Sequence, residues 1–258
     1  MSEFPWLTVV TVVKHDLAGL EKTIDSLVRQ VDLTGVEYLV VDSSENSAAV
    51  ETIVKNSLIA GARFSWCEPQ GIYAAMNTGL SLARGKYIYY LNAGDLLADP
   101  QVIAGLKQTI KAVDPVWVVG RVEISEVGGK TVVSKSWDYH AEKKALFARG
   151  VFPPHQGTLV RTDSLRAAGC FNSRYSISAD YAAALSLSLV SDPFMTDRVI
   201  ATFFEGGVST DRWQDSFREF HQARTLILKP RGFTSLVERF NYGKHFASVW
   251  LVRRLRRS

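Results

Sequence analysis

The stretch Leu7-Thr8-Val9-Val10-Thr11-Val12-Val13 decides the fold, together with the apolar spacing of Leu20, Ile24, Leu27 and Val28 that follows Lys14-His15-Asp16. An unbroken β-branched and apolar run of this length makes a short buried strand, and the segment after it repeats at helical period. Working outward, residues 36–41 form a second such run ending at Asp42, 63–66 a short third, and 87–91 a fourth stopped by Asn92-Ala93-Gly94-Asp95. Helical patterns cover 47–60 and 71–83, the latter with an apolar face of Ile72, Ala75, Met76, Gly79, Leu80 and Ala83. Asp99-Pro100 has the cap-then-proline signature of a helix start, and that helix runs to about Val113 before a strand at 116–119. Strand alternating with helix implies an α/β domain, a mostly parallel central sheet with helices on both faces. Downstream, 122–136 resembles a hairpin broken by Gly128-Gly129, and Pro153-Pro154-His155-Gln156-Gly157 leads into a strand at 158–160. Helices are expected near 164–168, 179–189 and 211–228, with a strand at 199–204.

The chain has 258 residues, 47% of them apolar, enough for a full core in one large domain or two closely fused halves. No apolar run approaches the roughly 18 to 20 residues needed to cross a bilayer. The N-terminus lacks the basic, apolar and small-residue succession of an export signal, and Cys67 and Cys170 stand far apart without metal-type spacing, which together fit a reducing cytoplasm. The net charge of +4 is uneven: Arg239, Lys244, Arg253, Arg254, Arg256 and Arg257 fall in the last segment with no acid, leaving 24 bases against 26 acids before it. A basic excess confined to one segment argues for a local contact surface and against a nucleic-acid partner.

Ligands of open parallel sheets bind beyond the carboxyl ends of the strands, which makes residues 11–14, 42–44 and 92–95 the first places to look. Each strand-end acid there, Asp42 or Asp95, also suits a helix or turn cap. A dinucleotide fingerprint needs Gly-x-Gly-x-x-Gly after the first strand, where this chain has Thr11-Val12-Val13-Lys14-His15-Asp16; a Gly-Lys-Ser/Thr phosphate loop is absent too. A phosphorylated ligand would therefore be held through a metal and side chains.

Glu68-Pro69-Gln70-Gly71-Ile72-Tyr73-Ala74-Ala75-Met76-Asn77-Thr78-Gly79, then Ala83-Arg84-Gly85, then Leu91-Asn92-Ala93-Gly94-Asp95, resembles the donor-site stretch of family 2 glycosyltransferases of the GT-A fold, most of all the bacterial colanic-acid and O-antigen assembly branch. The resemblance extends to Val40-Val41-Asp42, Pro154-His155-Gln156, Ala179-Asp180-Tyr181 and Gly206-Gly207-Val208-Ser209, and so covers most of the chain. It implies a GT-A domain over 1–230, with a nucleotide-sugar half at 1–125 and an acceptor half at 126–230, followed by a tail at 231–258. Thr11 and Asp42 would meet the nucleotide's base and ribose. Gly71, Tyr73, Met76 and Asn77 would floor the diphosphate-sugar, with Asn92 beside them. Asp95 matches the last acid of the Asp-x-Asp-type motif that carries a divalent metal, Mn²⁺ or Mg²⁺, and Asp180 the acid that deprotonates the acceptor. His155, Gln156, Gly207 and Ser209 would lie over the diphosphate and acceptor mouth. Asn92 and Gly94 stand where many members have acids, and Gln70, Ala74 and Thr78 also depart from the branch.

The chemistry needs these residue types. Breaking a sugar–phosphate bond builds positive charge at the anomeric carbon and negative charge on the departing diphosphate, which a cation stabilises in the transition state. A carboxylate on the opposite face takes the proton of the attacking hydroxyl, and one displacement inverts the anomeric centre. Asp180 would equally cap the helix it begins, His155 would serve in packing, and Trp137, Tyr139 and Phe152 could stack on a sugar or fill the core. A sugar nucleotidyltransferase would need a Gly-rich basic loop after the first strand, which is missing; a donor-binding or scaffold protein of the same family is the non-enzyme alternative.

In the tail, Leu236, Phe240, Ala247, Leu251 and Leu255 share one helical stripe, with Arg253, Arg256 and Arg257 opposite and Phe246 and Val249 on the basic side. This reads as a helix on an anionic membrane surface, suited to a lipid-linked saccharide acceptor at the inner face of the plasma membrane, or as a helix packed on the body or on a second copy in a homo-oligomer.

Overall fold

The structure is a computed structural model that describes residues 4–125, 129–136, 138–204 and 212–255. Strands β1 (Leu7–Val13), β2 (Val36–Asp42), β3 (Arg63–Trp66) and β4 (Tyr87–Tyr90) pair in parallel in the order β3-β2-β1-β4. Their registers set Val13 beside Asp42, Asp42 beside Trp66 and Val10 beside Tyr90, so all four end at one edge of the sheet. The sheet continues through β8 (Thr158–Arg161), β6 (Trp117–Ser125), β9 (Phe194–Phe204) and the two-residue β5 (Leu96–Leu97), and β7 (Thr131–Val133) forms a hairpin with β6. β8 runs antiparallel to both β4 and β6, while β6 and β9 are parallel. Because β8 enters where β4 leaves, with Tyr89 opposite Leu159, the turn at His155–Gly157 falls beside the loop that follows β4.

Alternation along β1 divides the core in two. Leu7, Val9 and Val13 pack with Leu20, Ile24 and Leu27 of α1 (Leu17–Val28), Val50 and Val54 of α2 (Ala48–Asn56), and Ile103 and Leu106 of α4 (Val102–Val113). Val10 and Val12 pack on the other side with Tyr73, Met76 and Leu80 of α3 (Ile72–Leu82). That side also holds α5 (Tyr139–Ala148), α6 (Thr162–Ala167), α7 (Ala179–Val190) and α8 (Trp213–Leu228), represented by Phe147, Leu165, Tyr181 and Phe220. Strands buried on both faces read as continuous apolar runs, which is why β1 and β4 were legible. α3 lies so close on β1 that a Cβ on Gly79 would sit 2.5 Å from a Val10 methyl carbon. The chain ends in α9 (Phe233–Leu255).

Several boundaries differ from the sequence reading, β6 running on to Ser125 among them. α2 stops at Asn56 because Ser57 turns extended, and β9 begins at Phe194, well before 199, since pairing with β6 carries the polar Thr196-Asp197-Arg198 into the sheet. Trp137 and the segment holding Gly207 and Ser209 lie outside the described residues.

Candidate active site

The loop after β4 is built to present Asp95. Leu91 and Ala93 donate their N–H groups to Val10 and Val12 of β1, and Gly94 turns the chain with a φ of +92°, a conformation that favours glycine. From below, the buried Thr23 hydroxyl lies 2.8 Å from the Asp95 carbonyl and 3.2 Å from that of Asn92, and it accepts the Gly94 N–H at 3.0 Å. The Asp95 carboxyl is buried, which raises its pKa from 3.8 to about 6; His155, a hydrogen bond from the Gln156 side chain and the Asn92 backbone offset this in part.

Asp180 sits in the first turn of α7. Its Oδ1 is 3.0 Å from the Tyr73 hydroxyl and 2.9 Å from its neighbour's amide in Tyr181, while its Oδ2 faces His155 Nδ1 at 3.4 Å. Burial, then the Asp180 charge, pushes the Tyr73 phenol well above its ordinary value. The turn that delivers Asp180 is held by Glu219 of α8, whose carboxylate accepts from the amides of Ser176, Ile177 and Ser178 and from the Ser176 hydroxyl at 2.8–3.0 Å.

His155 joins the two halves. Its Nε2 lies 3.0 Å from Asn92 Nδ2, and an amide nitrogen can only donate. The ring's Nδ1 faces Asp180 Oδ2. Asp180 and the loop that carries Asp95, far apart in the chain, thus meet at one imidazole, Asp180 at Nδ1 and the loop through Asn92 at Nε2. A cavity of about 40 Å³ beside Asp180, lined by Tyr90, Trp117, Pro153 and Phe171 as well as His155, has room for water and not for a sugar.

Asp42, at the end of β2, is fully buried; Oδ1 accepts from the Ser44 amide and hydroxyl at 2.9 and 2.7 Å, and Oδ2 has no partner. The half-exposed Trp66 indole stands beside it in register and donates to the Ser44 carbonyl at 2.8 Å. Gly71 opens α3 with a φ of +99° and no side-chain cap. Three expected donor contacts have other places. Thr11 has no exposed surface, and its hydroxyl is spent on the Leu91 carbonyl and on Tyr38. Met76 is fully buried beneath α3, and the Asn77 amide pins both the N–H and the carbonyl of Phe171. Thr11 and Met76 support the floor of the cleft from within, while Asn77 is partly exposed and engages Phe171 through its amide. Thr23, Glu219 and Trp66 were not singled out from the sequence; the one available signal is a polar residue at position 23 inside an otherwise apolar helix face.

Asn92 Oδ1 is buried without a partner, and with the Asp95 carboxylate it offers oxygen donors of the kind Mg²⁺ and Mn²⁺ take. Among the described residues no group of three or more His, Cys, Asp or Glu could hold a metal, so phosphate oxygens or water would have to complete the shell.

Comparison with known proteins shows the family. Residues 8–168 match the model of "Glycosyl transferase family 2". An uncharacterized glycosyltransferase of Mycobacterium tuberculosis is 26% identical over 219 residues, 82% of this chain and 80% of that one. A "PGL/p-HBAD biosynthesis glycosyltransferase" of Mycobacterium bovis is 25% identical over 217 residues, 80% of this chain and 79% of that one. Among solved structures, a mannosyltransferase of Pyrobaculum calidifontis in complex with GDP-Man and Mn²⁺ superposes with a TM-score of 0.64 at 15% identity, over 98% of this chain and 76% of that one. S. aureus TarS 1–349 in complex with UDP gives 0.64 at 15%, over 85% of this chain and 65% of that one. This chain spans only 39% of the longer TarS chain. The strand order and the match over residues 8–168 lead to one assignment: the chain belongs to glycosyltransferase family 2.

Proposed function

We propose that this glycosyltransferase takes a sugar from a nucleotide-diphosphate donor and moves it, with inversion in a single displacement, to a lipid-linked saccharide at the cytoplasmic face of the plasma membrane, in assembly of a bacterial surface polysaccharide such as an O-antigen. The observation that carries this reading is the meeting of Asp180 and the Asn92–Asp95 loop at His155. Solved neighbours holding UDP, UDP-GlcNAc and GDP-Man support a nucleotide-sugar donor, and a relative named "PGL/p-HBAD biosynthesis glycosyltransferase" supports a biosynthetic role. We take 1–230 as the transferase body, with donor and acceptor halves meeting near 125, and 231–258 as the tail.

Asp180 would act as general base through Oδ2, since Oδ1 takes the Tyr181 amide and shares the Tyr73 hydroxyl with the Ile177 carbonyl. Asp42 would accept from the base or ribose after the adjoining 43–46 loop shifts, and Trp66 offers a ring face beside it. The uncapped first turn of α3 at Gly71 would supply amides to phosphate. A divalent cation, Mn²⁺ or Mg²⁺, held by Asp95 and Asn92 together with the donor's phosphates, would supply positive charge against the departing diphosphate. Gln156 would steady the Asp95 carboxylate. For Gly207 and Ser209 the proposal is contact with the diphosphate or acceptor.

Thermal shifts with UDP-, GDP- and dTDP-sugars, with and without Mn²⁺, test the donor site. A ligand at about 100 times its Kd stabilises by about 2.7 kcal/mol, roughly 5 to 10 °C for a chain of this size. The Asp180→Asn variant should keep that shift and lose about 10²- to 10⁴-fold in acceptor-dependent nucleotide release. No shift with any donor, or full turnover in the variant, overturns the reading; a shift with no turnover in the wild type points to a donor-binding scaffold instead.

A further inference from the structure

The two faces of α9 have different surroundings. One is docked on α8: Glu238 accepts from Arg224 Nε at 2.5 Å and meets His221 at 3.3 Å, Tyr242 stacks on His221 with ring centres 4.5 Å apart, and Phe246 lies 5.3 Å from Trp213. The other is bare. Phe233 is 79% exposed, Leu236 63%, Val237 40% and Phe240 71%, with Trp250 further along at 43%. The first four follow the spacing i, i+3, i+4, i+7 and so form one stripe. Positions 236 and 240 each stand two residues from the docked Glu238, roughly 200° around the helix, which turns the stripe away from the body.

Scattered exposed apolar residues are ordinary; a row of them on one helix, unrelieved by acid, is not. Glu238 is the helix's one carboxylate and is consumed in the dock, and no Asp or Glu occurs from 239 to the end. Lys229 and Arg231 precede the stripe, and Arg239, Lys244 and Arg254 are exposed along the helix, with Arg254 over the Trp250 ring at 5.1 Å. Among the described residues no helix is long and apolar enough to cross a membrane. An exposed aromatic stripe between cationic side chains has the make-up of a helix lying in a lipid headgroup layer.

We propose that α9 is the membrane-contact element of the protein, with Phe233, Leu236, Val237 and Phe240 entering the surface of an anionic bilayer and the surrounding Lys and Arg residues pairing with its headgroups. This deepens the membrane placement proposed above and rests on it. It also relocates the contact: insertion is centred on the N-terminal half of the helix and not on its Arg-rich end. Phe246 and Val249, which spoil the stripe in the sequence, turn out to lie on the half-buried side.

The test is flotation of the full chain with vesicles of phosphatidylcholine, alone or mixed with phosphatidylglycerol. The wild type should float with the anionic vesicles and lose much of that binding in high salt. Phe233→Ser with Phe240→Ser should weaken binding at least about tenfold while leaving the thermal midpoint unchanged, because both residues are solvent-exposed. Lys244→Glu with Arg254→Glu should abolish the preference for anionic lipid. Wild-type protein that stays with the buffer, or a double Ser variant that floats like wild type, overturns the proposal. So does a dimer in light scattering that the double Ser variant dissociates, which would make the stripe a face between copies. Vesicle binding needs no donor, and the nucleotide-sugar shifts need no vesicle, so failure of one reading is distinguishable from failure of the other.

Discussion

Replacing Asp95 by asparagine removes a charge from a place that resists it. Burial holds this carboxyl at about 6 against an ordinary 3.8, and the nearby His155, Gln156 and Asn92 groups compensate only in part. A displacement of that size corresponds to about 3 kcal/mol. The unfolded chain gives up the proton near 3.8 and the folded chain holds it to about 6, so between these values the native state binds more protons. The stability this provides is fully present below the lower value, drains away as pH rises through the upper one, and is gone at neutrality. An asparagine never ionises, and its amide oxygen can still accept the Gln156 and backbone donors. Asp95→Asn should therefore match the wild type near pH 4 and exceed it by up to about 3 kcal/mol near pH 7.5, roughly 5 to 10 °C in Tm, while losing transferase activity. Urea melts of both proteins across that range, in chelator and without nucleotide, measure the gap; taking the difference cancels the other carboxylates. A gap that does not change with pH, or a wild type more stable than the variant at pH 7.5, would refute the reasoning.

Other perturbations read the supports of the site. Glu219→Gln leaves one oxygen to serve three amides and a hydroxyl, so stability should fall by about 1–3 kcal/mol, and turnover should drop with donor affinity unchanged because the effect passes through Asp180. Gly79→Ala should cost about 1–3 kcal/mol in a urea melt, the Val10 clash outweighing the better helix propensity of alanine; a stabilised variant would show that α3 can move away from β1. Arg224→Leu strands Glu238 and strips partners from the Phe147 carbonyl and the Tyr181 hydroxyl, for about 3–5 kcal/mol. Adding Glu238→Leu should recover part of that loss in a double-mutant cycle, and no recovery would disprove the coupling.

What the sequence discloses follows from how local each signal is. The runs that became β1, β2 and β4 are buried on both faces, so composition alone marks them, and the turn chemistry after each marks the edge where Asp42 and Asp95 stand. β5 is two residues long and exists only because β9 passes beside it. Thr196-Asp197-Arg198 breaks any strand pattern, yet β6 holds it in the sheet across a register shift. Glu219 has its partners 41 to 43 positions upstream and sits between Phe217 and Phe220, where nothing local announces a capping role. Thr11 and Met76 fall within stretches where the resemblance places donor contacts, but side-chain direction depends on which face of β1 or α3 is covered. That is settled by packing between elements and not by the motif.

The hydrogen bonds around Asp180 would let a single carboxylate both accept a helix amide and serve as the proposed base. A cap spends its oxygens on amides, and both uses would conflict if one oxygen had to serve them. Here Oδ1 takes the Tyr181 amide and shares the Tyr73 hydroxyl with the Ile177 carbonyl, while Oδ2 is left with His155 Nδ1 at 3.4 Å, a long and easily exchanged contact. The same ring meets Asn92 through Nε2, so one imidazole spans the interval between Asp180 and the loop that would receive the diphosphate. Under the proposed reaction the sugar has to occupy that interval. Donor binding would then part His155 from Asn92, freeing an amide for the phosphate side, and the acceptor hydroxyl would replace His155 at Oδ2. On this proposal Oδ2 would take a proton only from the hydroxyl that displaces His155.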